Sequence, residues 1–159
     1  MRSFPSRLIL PVLVPVLVLA LALVAPRPGV VRAESSSASP AEFHVIINPQ
    51  NPVTSVSRKF VMDAFLKRVT QWGDLFGIRP VDLRVDSSVR NAFSTELLKR
   101  SVSAVKTYWQ QMVFSGRDVP PPELDSDEEV IRYVIRNPGG IGYVSPTANL
   151  QGVRVLTLN

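Results

Sequence analysis

The chain has 159 residues, 45% of them hydrophobic, with no cysteine, one histidine and a formal net charge of +5. This length suffices to bury the core of one domain. The absence of cysteine excludes disulfides and a lipid-modified cysteine, and a lone histidine cannot build the usual zinc sites. Nucleophilic catalysis would need an activated serine with its base, and the histidine lies in a predicted strand. We therefore predict no enzyme activity, no cofactor and no metal site.

The N-terminus has the pattern of a secretory signal peptide. Arg2 and Arg7 precede an uncharged apolar run at 8–25, and Val-Arg-Ala at 31–33 places small or modest side chains where a signal peptidase cuts. We therefore predict a signal peptide at 1–33, which is cleaved to leave a periplasmic protein with no stable membrane anchor. An uncleaved anchor is the alternative, because the apolar run at 8–25 is long enough for a spanning helix, which needs roughly 17 to 25 apolar residues.

Removal of this segment changes the charge of the chain. Four of the 18 basic residues lie within it, whereas all 13 acidic residues lie at Glu34 or later. The remaining chain carries 14 basic and 13 acidic side chains, a net charge of +1. Such a balance does not favour nucleic acid or an anionic membrane surface as a partner, so we predict neither.

The elements that follow alternate between strand and helix patterns. A flexible N-terminus is predicted at 34–42, which is rich in serine, alanine and proline, and a folded domain at 43–159. The predicted elements of this domain are a strand at 43–47, a helix at 58–69 capped by Ser57, a strand at 81–85, a helix capped by Ser88, a helix at 102–114, a stiff proline-rich loop at 117–124, a helix opened by a capping box at 126–129, and strands at 141–145 and 153–158. This order predicts a layered α/β domain with a mixed β-sheet.

The junction after the strand at 81–85 has the composition of an anion-binding loop. If Ser88 caps the next helix, the following three backbone N–H groups lack intrahelical acceptors and attract negative charge. Arg84 could bond two oxyanion oxygens, Asp86 could orient its guanidinium, and Ser88 could donate its hydroxyl. The alternative interpretation is an ordinary N-cap beside a surface ion pair.

Three segments resemble the phosphate-type periplasmic binding proteins of ABC transporters, which have the type 2 periplasmic-binding-protein fold. They are V-I-I-N-P-Q-N-P-V-T-S-V-S at 45–57, R-V-D-S-S-V-R at 84–90 and V-I-R-N-P-G-G-I-G-Y-V at 134–144. The second resembles the family's R-x-D-G-S-G-T anion loop, and the third its V-x-x-N-P-G-A-I-G-Y-V. The resemblance implies that the ligand-binding residues are Arg84, Asp86, Ser87, Ser88, Val89 and Arg90.

The loop departs from the family pattern, since Ser87 and Val89 stand where the family has glycines and Arg90 where it has threonine. Known members have two lobes with the ligand between them, and a chain of this length supplies one. The resemblance thus implies a half-site for phosphate or a related oxyanion, serving ABC transport, with the second lobe supplied by a homodimer or a partner subunit. The alternative, favoured by the lost glycines, is a non-transport accessory or protein-interaction domain with a degenerate pocket.

Overall fold

The structure is a computed structural model that describes residues 42–159. The predicted signal peptide, and all but the last residue of the predicted flexible segment, lie outside the described residues. The helices are α1 (Arg58–Phe65), α2 (Ser88–Glu96), α3 (Val102–Phe114) and α4 (Asp127–Arg136). The strands are β1 (His44–Ile47), β2 (Ser55–Val56), β3 (Gln71–Trp72), β4 (Phe76–Gly77), β5 (Arg79–Pro80), β6 (Asp82–Leu83), β7 (Glu123–Leu124), β8 (Gly140–Val144), β9 (Arg154–Val155) and β10 (Thr157–Leu158).

A four-stranded mixed sheet lies at the centre, in the order β5-β8-β1-β9. Strand β1 runs antiparallel to both β8 and β9, whereas β5 runs parallel to β8. The adjacent residues Ile46 and Ile47 of β1 are both fully buried, so the sheet is covered on both faces. The predicted layered α/β domain with a mixed sheet is therefore confirmed.

Successive residues of strand β8 contact helices on opposite faces of the sheet. The ring of Tyr143 stacks on Phe93 of α2 with centroids 3.8 Å apart and lies 5.8 Å from Phe65 of α1. The preceding residue, Gly142, faces α4 on the other side, where a Cβ atom would approach Val130 to 2.6 Å. Alternation along a strand thus places α1 and α2 on one face of the sheet and α4 on the other.

Three of the four predicted helix starts are confirmed. Ser57 accepts a hydrogen bond from the third helical N–H of α1, and Ser126 does the same for α4. The start of α3 is confirmed at Val102, with Ser101 as its cap. For α2 the prediction is wrong by one residue, because Ser87, not Ser88, has the extended backbone of an N-cap and accepts from the N–H of Arg90.

Several element bounds differ from the sequence prediction. Helix α1 ends at Phe65 rather than 69, because Lys67 adopts a left-handed conformation with φ 51°. The predicted strand at 81–85 is limited to Asp82–Leu83, and Glu123–Leu124, predicted within a stiff loop, pairs parallel to it. The final predicted strand is split at Leu156, which is buried. The antiparallel pair β3–β4 was not predicted.

Candidate functional site

The candidate site is the short loop between β6 and α2. The N–H of Arg84 donates to the carbonyl of Leu124 at 3.1 Å, which ties the loop to β7. The N–H of Ser87 donates to the carbonyl of Arg84, also at 3.1 Å, and closes a turn. The loop is therefore held at both ends, and α2 begins immediately after it.

Arg84 and Asp86 form the ion pair expected from the sequence. Nε and Nη2 of Arg84 donate to the two carboxylate oxygens of Asp86, each at 2.8 Å. The pair forms within the turn, not along a strand face, because β6 ends at Leu83. Asp125 lies 3.7 Å from Nη1 of the same guanidinium. The hydrogen bonds to Asp86 raise the pKa of Arg84, so its positive charge persists.

Among the described residues, the first turn of α2 has four backbone N–H groups, of which two are bonded to Ser87 and two are free. The N–H of Arg90 donates to the Ser87 hydroxyl at 3.3 Å, and the N–H of Asn91 donates to the Ser87 carbonyl at 3.1 Å. Within residues 42–159, the N–H groups of Ser88 and Val89 have no protein acceptor. The free donors are thus those of Ser88 and Val89, not those of Val89, Arg90 and Asn91 as predicted, because the cap lies one residue earlier.

Arg90 differs from the other predicted site residues because its side chain is buried. Its Nη1 donates to the carbonyl of Leu83 and, at 2.6 Å, to Oε1 of Glu123. Its Nη2 lies 3.1 Å from Oδ2 of Asp82, and the whole residue is 3% exposed. The buried guanidinium of Arg90 is therefore engaged by one buried acid, Asp82, and one exposed acid, Glu123, behind the loop that carries Arg84.

A second buried group completes this network. The hydroxyl of Tyr143 donates to Oδ1 of Asp82, which also accepts the N–H of Leu83 at 3.0 Å. Burial raises the pKa of Asp82 against the opposing charge of Arg90. Burial also raises the pKa of Tyr143, which keeps its hydroxyl protonated as the donor.

The sequence interpretation did not find Asp82 and Glu123 as part of this region. The available signal was an acid inside an otherwise apolar strand, since such a residue is rarely buried without a partner. Together the two arginines face four carboxylates, those of Asp82, Asp86, Glu123 and Asp125. An anion at the loop would therefore be held by hydrogen bonds from oriented donors, and not by an excess of positive charge.

Two features are absent from the described part of the chain. Among residues 42–159, no three histidine, aspartate or glutamate side chains are grouped so that they could hold a metal ion. Over the same range, no helix is both long and apolar enough to cross a membrane.

Solved structures with a similar fold include an ABC-type phosphate transport receptor from Vibrio cholerae. It is 17% identical, with a TM-score of 0.58, and the match covers 74% of this chain and 46% of the receptor. PstS from Borrelia burgdorferi matches at 14% identity and a TM-score of 0.56, over 74% of this chain and 47% of that one. A protein from Clostridium perfringens, solved with bound phosphate, matches at 19% identity and a TM-score of 0.58, over 74% and 44%. No family model matches the chain, and neither does any curated protein.

These similarities confirm the fold that the three sequence segments predicted. The described domain has the fold of part of a phosphate-type periplasmic binding protein. The chain spans about half the length of the solved proteins that it matches.

Proposed function

We propose that this protein is a periplasmic, phosphate-type binding lobe that holds a tetrahedral oxyanion, phosphate in the first instance, without forming a covalent bond. The observation that carries the proposal is the Arg84–Asp86 ion pair, which lies in the turn just before the free N–H groups of Ser88 and Val89. A guanidinium oriented by a carboxylate, next to a helix N-terminus, is a favourable arrangement for an oxyanion.

Each predicted donor has a defined role in the proposal. Asp86 occupies Nε and Nη2 of Arg84, and Nη1 has only the distant Asp125, so N–H donors on Arg84 remain for an oxyanion. Ser88 is exposed and can donate both its hydroxyl and its backbone N–H. Val89 can donate its N–H while its side chain packs against the hydrophobic core. Ser87 holds the helix start in place, and Arg90 anchors the loop from behind.

The backbone of this loop does not require glycine at the two positions where the family has it. Ser87 has φ −67° and ψ 129°, a conformation open to any residue, so glycine is not needed there for backbone geometry. The Val89 side chain packs against the core, and its N–H has no protein acceptor within residues 42–159. The substitutions therefore change the surface of the loop more than its donors.

A lone lobe leaves the bound anion open to water, so we expect weak binding by the isolated chain. The proposal therefore includes a second lobe, supplied by another copy of the chain or by a partner subunit. It also includes export by a signal peptide cleaved after Ala33 and a role in ABC transport. We propose no catalytic step, since one matched protein is named as a transport receptor and another as a substrate-binding protein.

Calorimetric titration of the purified protein with phosphate, sulfate and arsenate tests this proposal. We expect phosphate to release heat on binding to the wild type. Arg84→Ala should weaken the affinity for phosphate by about tenfold or more, the loss expected for a charged hydrogen-bonding group. Heat that is unchanged in Arg84→Ala, or no heat with any of the three anions, would contradict the proposal.

A second variant isolates the backbone donor. Ser88→Pro removes one N–H at the first helical position, where proline is favoured, and Ser87 already has the backbone that a following proline requires. Ser88→Ala keeps that N–H and removes only the hydroxyl. The matched control is Val102→Pro, at the first position of α3, where Ser101 has the same extended backbone. We expect Ser88→Pro to bind more weakly than Ser88→Ala, and Val102→Pro to bind like the wild type.

The alternative function, a non-transport accessory or protein-interaction domain with a degenerate pocket, is favoured by one observation. Both arginines near the loop are already engaged by carboxylates, which outnumber them by two to one. If the loop is purely structural, the calorimetric titrations show no anion binding, while the fold remains stable.

A further inference from the structure

An open groove of about 460 Å³ lies beside the candidate loop. One wall is a stripe of α3 that includes Lys106, Val113 and Phe114, and the opposite wall includes Val85 and Glu123. Val85 lies between Arg84 and Asp86 in the anion loop, so the groove and the loop share a border. Any molecule that fills the groove therefore lies next to the candidate oxyanion site.

The exposed apolar side chains of the described residues are concentrated around this groove. Four of the seven large ones lie here: Phe114 is 89% exposed, Val119 60%, Val85 51% and Val113 48%. Val119 precedes Pro120, which itself lines the groove. Single exposed apolar residues are normal, but a contiguous apolar patch with a polar border marks an interaction surface.

The two walls carry opposite charge. On the α3 wall, Lys106 is exposed and has no carboxylate partner within the described part of the chain. On the opposite side, Arg84 and Arg90 each contact two carboxylates. Because four carboxylates face two arginines, that side has an excess of negative charge. The patch around the groove therefore carries both positive and negative charge, so two copies of this patch are complementary in charge.

We propose that a second copy of this chain docks in the groove about a two-fold axis. A symmetric interface uses the same patch on both copies, so that patch must contain both a protrusion and a recess that accepts it. Phe114 is the protrusion and the groove beside it is the recess. In this arrangement Phe114 of each copy enters the groove of the other, and Lys106 of each copy meets the acidic wall of the other.

This inference takes up the second-lobe part of the proposed function, and it can be tested without any anion. A copy seated in the groove would lie over Val85 and thus over the edge of the Arg84–Ser88 loop. It would cover an oxyanion that a single lobe leaves exposed.

Sedimentation equilibrium of the purified protein without phosphate tests the proposal. We expect the wild type to dimerise at protomer concentrations up to about 200 μM. Phe114→Asp should weaken dimerisation by about 100-fold, as expected for loss of a central aromatic anchor. Val119→Asp, a second substitution of an exposed residue on the same patch, should also weaken it.

The control is Leu75→Asp, which places the same charge on an exposed leucine, 53% accessible, outside the groove lining. We expect Leu75→Asp to dimerise like the wild type. A monomeric wild type, or dimerisation that Phe114→Asp and Leu75→Asp leave equally unchanged, would overturn the proposal. Because sedimentation is run without phosphate, a wild type that dimerises but releases no heat with phosphate separates failure of the proposed function from failure of this interface.

Discussion

Two arginines at one loop have opposite environments, and only one of them could be interpreted from the sequence. Arg84 and Asp86 are two residues apart, so local spacing alone predicted their ion pair. The acids that pair with Arg90 come from β6 and β7, which are distant in the chain and pair in parallel. Local patterns carry no information about such a pairing, and the burial of Arg90 was therefore missed.

We predict that Arg90→Met destabilises the fold by about 3–5 kcal/mol, because it leaves the buried Asp82 without its cation. The matched control is Arg84→Met, in the same loop, whose ion pair is exposed. Urea unfolding of both variants measures the free energies. A stability loss as small for Arg90→Met as for Arg84→Met would show that the buried network does not hold the loop.

Asp63 in α1 gives the protein an acid-dependent component of stability. A hydrogen bond from Lys59 lowers the pKa of Asp63, and Arg68 lies 3.5 Å away. A carboxyl whose pKa is lowered by folding stabilises the fold above its unfolded value of about 3.9, and loses that contribution as the pH falls toward the folded pKa.

We therefore expect the stability difference between the wild type and Asp63→Asn to be largest near neutral pH and to shrink as the pH falls below about 4. Urea unfolding across this pH range measures it. A difference that stays constant with pH would show that the ionised carboxylate is not the stabilising form.

At the scale of elements, the long amphipathic helices were predictable and the very short strands were not. Helix α3 has the predicted bounds, and α4 begins at the predicted capping box. The two-residue strands β3, β4 and β7 are too short to show a period. At the start of α2, two adjacent serines could each cap, and the extended backbone is at Ser87, while Ser88 is already helical.

The position of the α2 cap gives a direct prediction. Ser87→Ala should destabilise the protein by about 1 kcal/mol, because the N–H of Arg90 loses its side-chain acceptor. Ser88→Ala should have little effect on stability, because that side chain lies past the cap. Thermal unfolding of the two variants compares them, and a larger loss in Ser88→Ala would return the cap to the residue first predicted from the sequence.

At the scale of the whole molecule, a short motif was more informative than composition. The segment Asn137–Val144 contains the C-cap of α4 and strand β8, in which Gly142 packs against Val130 and Tyr143 is fully buried. The same segment indicated the phosphate-type binding fold that the structural similarities confirm. The apolar groove was not predicted, because its walls come from α3 and from two loops that only the tertiary fold brings together.

The central claim is that the first turn of α2 binds an oxyanion with its free backbone donors. The most direct measurement is a phosphate titration of the isotope-labelled protein followed by nuclear magnetic resonance, with chloride at matched ionic strength as the control. We predict saturable shifts that are largest at the amides of Ser88 and Val89 and that need about tenfold or more phosphate to saturate in Arg84→Ala. Shifts at these two amides that do not saturate, or that chloride reproduces, would contradict the claim.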